Sequence, residues 1–204
     1  NIRKVDADTG RETPQGDARF TGATFAVKNV SAQPIMYGGK KIAVGAIVGN
    51  AVIESGNVAT MRNLPYGRYE ITEVAASGLV GYDWTPTNAA GKVVEIRDDN
   101  TTVTLAEVIR DPVWRGGVAI QKVDSDQIIA VDTNKHHIDL EWDSAQGNAE
   151  LAGAEFKIFS ISDSYVHVGG HTYEPRYHAA SDIKNPATAA DCLVTLITDE
   201  YGRA

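Results

Sequence analysis

Leu64-Pro65-Tyr66-Gly67-Arg68-Tyr69-Glu70-Ile71-Thr72-Glu73-Val74 opens as a turn and continues as a strand. Proline presets one turn dihedral and glycine supplies the open one, which makes Leu64 to Gly67 the turn. The run after it alternates with period two. Tyr69, Ile71 and Glu73 share one face, and Glu70, Thr72 and Val74 share the other. The face with the aromatic and the isoleucine is the one expected to be buried, and it carries Glu73 inward. A carboxylate in a core is costly without a partner, so it is neutralised by a shifted pKa or held for a purpose. The alternative is a strand-end glutamate that reaches solvent.

Outward from this stretch, the chain repeats itself. Gln15-Gly16-Asp17-Ala18-Arg19-Phe20-Thr21-Gly22-Ala23-Thr24-Phe25 recurs as Gln146-Gly147-Asn148-Ala149-Glu150-Leu151-Ala152-Gly153-Ala154-Glu155-Phe156, at an offset of 146 − 15 = 131. The match runs without a gap to Ile42 against Tyr173, with nine identities in 28 pairs. Upstream, Lys4-Val5-Asp6 recurs as Lys122-Val123-Asp124, at an offset of 118. The difference, 131 − 118 = 13, is an insertion in the second copy, near 130–143. Two tandem modules follow, 1–114 and 115–204, with the boundary at Asp111-Pro112-Val113-Trp114-Arg115-Gly116-Gly117. Ile197 to Ala204 fits Ile53 to Ala59 if one residue is inserted. No counterpart of Leu64 to Val74 follows, so the second module is expected to be C-terminally truncated.

Each module reads as all-β. Short runs at Ala23–Val30, Ala43–Val48, Arg68–Val74, Lys92–Ile96 and Thr101–Ile109 are separated by glycine, proline and asparagine clusters, and no helical period is sustained. This pattern predicts tandem sandwiches of antiparallel sheets.

Composition narrows the function. A net charge of -8 and a pI near 5.1 argue against nucleic acid and anionic membrane surfaces as partners. The most apolar window, Ile42 to Ile53, is too short and too interrupted to span a bilayer. No leader opens the chain, which places any export signal outside it. Cys192 is the only cysteine, so no internal disulfide is possible. An extracellular protein of this kind needs another stiffening device.

The combination Lys4-Val5-Asp6, Gly22-Ala23-x-Phe25 and Leu64-Pro65-Tyr66-Gly67-x-Tyr69-x-Ile71-x-Glu73-Val74 resembles the Cna B-type, SpaA-like pilin modules of Gram-positive surface proteins. It extends over the first module and the first two-thirds of the second. The resemblance implies an immunoglobulin-like sandwich in which a first-strand lysine bonds to an asparagine or aspartate ending the last strand. A buried glutamic acid promotes that isopeptide bond. Lys4 matches the lysine and Glu73 the glutamic acid. Asp111 matches the acceptor if Arg115-Gly116 is the family's linker pair. Another register puts Ala106 at the acceptor position and abolishes the bond. Val103, Leu105, Ile109 and Asp111 share one strand face, but so does Glu107. Lys122 is the corresponding lysine of the second module, without its partners.

The residue types suit amide formation. A lysine is a nucleophile only as the neutral amine, a form that burial favours, and a neutral carboxyl group can shuttle protons. Each residue also has an ordinary reading. A first-strand lysine usually keeps its ammonium in water, and an aspartate before proline often just opens a turn. Such a crosslink turns over once, needs no cofactor and does not make the chain an enzyme in the usual sense. The expected role is a stalk or pilin module on the cell wall, partnered by neighbouring modules. The rival is a ligand-binding module whose loops recognise a host glycan or matrix protein. His136, His137, Asp139, Glu141 and Asp143 have metal-ligand residue types, but adjacent histidines on a strand point apart. A solvated hairpin and no metal are expected there. Trp84, Trp114 and Trp142 are too scattered for a sugar platform, so packing or junction roles are expected.

Overall fold

Most strands of the chain are short runs containing β-branched or aromatic residues, with turns between them. The computed structural model describes residues 1–204 except 75–78, 85–90, 100, 107, 136, 142–144 and 148. In chain order the first repeat supplies β1 (Ile2–Asp6), β2 (Thr24–Asn29), β3 (Ile35–Tyr37), β4 (Lys40–Ile42), β5 (Ile47–Val52), β6 (Val58–Ala59), β7 (Gly67–Val74), β8 (Lys92–Ile96) and β9 (Ile109–Asp111). The second supplies β10 (Ile128–Asp132), β11 (His137–Leu140), β12 (Glu155–Ile158), β13 (Val166–Val168), β14 (His171–Tyr173) and β15 (Val194–Ile197). Two short 3-10 turns are the only helical elements among the described residues. The fold class is all-β. No described helix is long and apolar enough to cross a membrane.

The chain divides into two compact units. Unit 1 is Asn1–Trp114 together with Ser162–Glu174, and unit 2 is Arg115–Ile161 with Pro175–Ala204. The hairpin β13–β14, which the repeat assigns to the second copy, therefore lies with the first unit.

In unit 1 a four-stranded sheet, β5-β2-β7-β8, and a three-stranded sheet, β6-β1-β9, enclose one core. Phe25, Val27, Ala51, Tyr69 and Ile71 come from the larger sheet, and Ile2, Ala59 and Ile109 from the smaller. Strand β7 is buried at every second position, Tyr69, Ile71 and Glu73, as its alternation predicts. The Tyr69 hydroxyl donates to the Pro65 carbonyl at 2.7 Å and pins the turn to the strand it launches. Burial pushes the Tyr69 phenol up to about 12.

Three expectations need correction. Residues 43–46 form a turn, with Gly45 at φ +83°, and the expected Ala43–Val48 strand begins at Ile47 and continues to Val52. The expected Thr101–Ile109 strand is a ladder only at Ile109–Asp111. Further upstream, single bonds tie the segment to the chain start, from the Asn1 ammonium to the Val103 carbonyl and from the Leu105 amide to the Asn1 carbonyl. Strand β9 also pairs parallel to β1, so the sandwich is not wholly antiparallel. A last strand parallel to the first sets Lys4, in the middle of β1, beside Asp111 at the end of β9, and the site depends on it.

Unit 2 repeats the pattern bond for bond over its shorter sheets. The Lys4 amide donates to Asn57 and the Lys122 amide to Gly202; the Ile53 amide donates to Ala23 and the Thr198 amide to Ala154. Thr198 thus stands in for Ile53, at an offset of 198 − 53 = 145, and 202 − 57 gives the same value. The one-residue insertion expected after Ile197 is not needed. The insertion near 130–143 contains the exposed antiparallel hairpin β10–β11.

Removing the Tyr69 hydroxyl should leave the Pro65 carbonyl without its donor. Tyr69→Phe is expected to cost about 1–2 kcal/mol in urea unfolding. An unchanged midpoint would show that the turn does not depend on this bond.

Candidate functional site

Lys4 lies on β1, Asp111 at the end of β9 and Glu73 on β7, so two groups come from one sheet and the third from the sheet across the core. The parallel register pairs Lys4 with Ile109 and Asp6 with Asp111. Lys4 and Asp111 are therefore two positions apart on one inward face. Glu73 pairs with Phe25 across β2–β7 and points inward. All three side chains have no solvent exposure.

The Lys4 ammonium donates to both Glu73 oxygens, Oε1 at 2.9 Å and Oε2 at 3.0 Å, and to Asp111 Oδ2. Three donors meet three acceptors, the full capacity of an ammonium. One cation between two carboxylates leaves an excess negative charge in a dry site. Burial is the largest influence on Glu73 and pushes its carboxyl up to about 7; Lys4 opposes this and Asp111 adds to it. A neutral glutamic acid near neutral pH is the state that a proton shuttle needs.

Asp111 is held from both sides. Its carbonyl accepts the Ala7 amide at 3.0 Å. The next residues zip onto segment 81–83, through the Asp83 amide to Pro112 at 2.9 Å and the Trp114 amide to Gly81 at 2.8 Å. Gly81 has a φ of +80°, and a Cβ there would stand 2.7 Å from the Ala18 Cβ, so the segment's close approach requires glycine.

The structure brings Lys4, Glu73 and Asp111 together, with Asp111 rather than the exposed Ala106 beside the lysine. Glu107, His136, Trp142 and Asp143 lie outside the described residues. Lys122 is half-buried and donates to the Glu150 carbonyl at 3.3 Å; among the described residues it forms no ion pair. His137 pairs with Asp139 at 2.8 Å on the exposed hairpin, and no described group of three or more metal-ligand side chains is gathered anywhere. Trp84 is half-buried and Trp114 is 66% exposed. The exposed rings of Tyr66, Trp114 and Tyr201 enter none of the ring pairs among the described residues.

Sequence reasoning gave no role to a second buried carboxylate, Asp6, two residues along β1 from Lys4. Its oxygens accept from Thr9, Gln15 and Tyr82. The signal was present, because Asp6 and Gln15 recur as Asp124 and Gln146.

Comparison with protein-family models finds no match, and comparison with the curated proteins finds no similar protein.

The Glu73 shift has a definite sign. A carboxyl whose folded pKa is raised stabilises most below its unfolded value of 4.5, and that contribution is lost as pH rises through about 7. A Lys4→Met background removes both influences that oppose the shift. There, stability relative to the Lys4→Met/Glu73→Gln double variant should fall from about pH 5 to about pH 8, with a slope approaching ~1.4 kcal/mol per pH unit. A pH-independent difference in urea unfolding would contradict the raised carboxyl.

Proposed function

We propose that the chain is a pair of structural modules from the stalk or shaft of a Gram-positive cell-surface protein, the first stiffened by an autocatalytic amide between Lys4 and Asp111. The observation that supports this reading is the solvent-free lysine held between two carboxyl groups, one of them raised towards neutrality. A buried ion cluster is a poor way to stabilise a core, because desolvation offsets most of the attraction. As the precursor of a neutral bond, it has a purpose. The resemblance to Cna B-type modules and the lack of any possible internal disulfide point the same way.

In the proposed reaction the ion pair first becomes a neutral amine and a neutral carboxylic acid by proton transfer within the cluster. Lys4 Nζ attacks the Asp111 carboxyl carbon and a C–N bond forms. Neutral Glu73 hydrogen-bonds the developing oxyanion and relays a proton from nitrogen to the leaving hydroxyl. The C–O bond breaks, and one water departs with an Asp111 oxygen, one proton from the amine and the acid proton that the ammonium gave up in the first step. Folding supplies the proximity, and effective molarities for well-oriented groups reach on the order of 10⁵ M or more. The product amide is uncharged, so the cost of burying the ions disappears.

The bond ties the first strand to the last across 107 residues. Loop closure of that size stabilises by about 4–5 kcal/mol in the chain-entropy account. Tension along the chain passes through the bond instead of through the sheet. The partners of such a device are neighbouring modules of the same surface protein.

Single-molecule stretching from the two ends tests the mechanical role. The wild-type chain should never release the segment between Lys4 and Asp111. Glu73→Gln should release it, adding roughly 350–390 Å of contour length. Equal extensions in the two proteins would refute a load-bearing crosslink.

A further inference from the structure

The other buried carboxylate of β1 organises a different part of unit 1. Asp6 Oδ1 accepts the Thr9 amide and hydroxyl, both at 2.8 Å. Asp6 Oδ2 accepts the Gln15 side-chain amide at 2.8 Å and the Tyr82 hydroxyl at 3.0 Å. The two ends of the 7–16 loop are thus fixed to a single solvent-free side chain. Hydrogen bonds to charged groups are the stronger ones, and a network whose members are all satisfied is rigid.

That loop receives the β13–β14 hairpin. Tyr165, only 3% exposed, donates its hydroxyl to the Thr13 carbonyl at 3.0 Å and meets the Thr9 hydroxyl at 2.9 Å. The Gly16 amide donates to the Tyr165 carbonyl at 2.7 Å, and the His167 amide to Gln15 Oε1 at 3.0 Å. The Ser164 hydroxyl donates to the Pro14 carbonyl at 2.6 Å. Arg11 lies over the Tyr165 ring, 4.3 Å from its centre, and pairs with Glu174 at 2.6 Å. Thr9 and Gln15 each touch Asp6 on one side and the hairpin on the other.

We infer that the Ser162–Glu174 hairpin is a clasp whose seat on unit 1 is built by Asp6, so that β1 anchors a segment of the second repeat as well as the candidate crosslink. A two-stranded hairpin is marginal in water by itself, so its order depends on what it rests against. The contacts also distinguish the two copies. At the offset of 131, Tyr165 and Glu174 replace Pro34 and Ala43, whereas the Gly169-Gly170 turn matches Gly38-Gly39. The first copy's hairpin therefore lacks both the buried ring and the acid that hold the second. With the clasp seated, the chain crosses between units at 114/115, 161/162 and 174/175. A pull on the chain beyond Glu174 then reaches β1 close to Lys4. That mechanical consequence rests on the proposed stalk role; the clasp itself does not.

Amide hydrogen exchange on the full chain tests it, because the Gly16 and His167 amides bond across the seat. Tyr165→Phe and Arg11→Ala should each speed exchange at both amides by about tenfold, and Asp6→Asn by more, while β2–β7 amides keep their rates in the first two variants. Unchanged rates at Gly16 and His167 in all variants that fold would overturn the clasp. If Asp6→Asn does not fold, the other two variants decide. The intact mass of each sample separates the two ideas. Faster exchange without a water deficit in any sample leaves the clasp standing and removes the crosslink, and the reverse result does the opposite.

Discussion

Everything in unit 1 follows from the need to satisfy a lysine where there is no water. An ammonium without solvent needs acceptors for all of its protons, and a core built from aliphatic and aromatic side chains offers none. The chain provides them from two sheets at once, Asp111 beside the lysine and Glu73 opposite it. The parallel pairing of first and last strands meets that demand, in a register that also brings Asp6 against Asp111. The Pro112–Trp114 segment, through its bonds to 81–83, holds the acceptor in place.

On the proposed reading, the same constraint makes the cluster the precursor of a bond instead of merely a cost. One cation cannot neutralise two carboxylates, and burial pushes the Glu73 carboxyl up to about 7, towards its neutral form. Lys4, Asp111 and Glu73 share one site without solvent. Forming the amide removes two charges and one water, so the electrostatic cost of the folded state itself favours the bond. Asp6 shows the contrasting solution. Donors from Thr9, Gln15 and Tyr82 surround it, and no amine is among these partners. Two residues apart on one strand, Lys4 meets two carboxyl groups and Asp6 meets neutral donors.

Much of this was legible in the sequence, for identifiable reasons. Period-two alternation put Tyr69, Ile71 and Glu73 on the buried face of β7, since a strand that covers a core has little choice of side. The repeat matched Lys4 with Lys122, and the amides of both make equivalent backbone bonds. The limit at 43–48 was misjudged because Gly45 turns the chain before the ladder begins, and the limit at 101–109 because Leu105 packs into the core outside the ladder. The parallel β1–β9 pair leaves no mark in either strand's own pattern. The seat for Ser162–Glu174 was hidden for a similar reason, because a contact over more than 150 positions depends on where loops meet.

The most direct test is the intact mass of the purified, denatured chain, read beside that of Glu73→Ala. The account predicts a wild-type mass lower than the sequence mass by one water, a full mass in the variant, and a fragment joining the Lys4 and Asp111 peptides. A wild-type mass equal to the sequence mass, or a water lost with the linkage elsewhere, would contradict it.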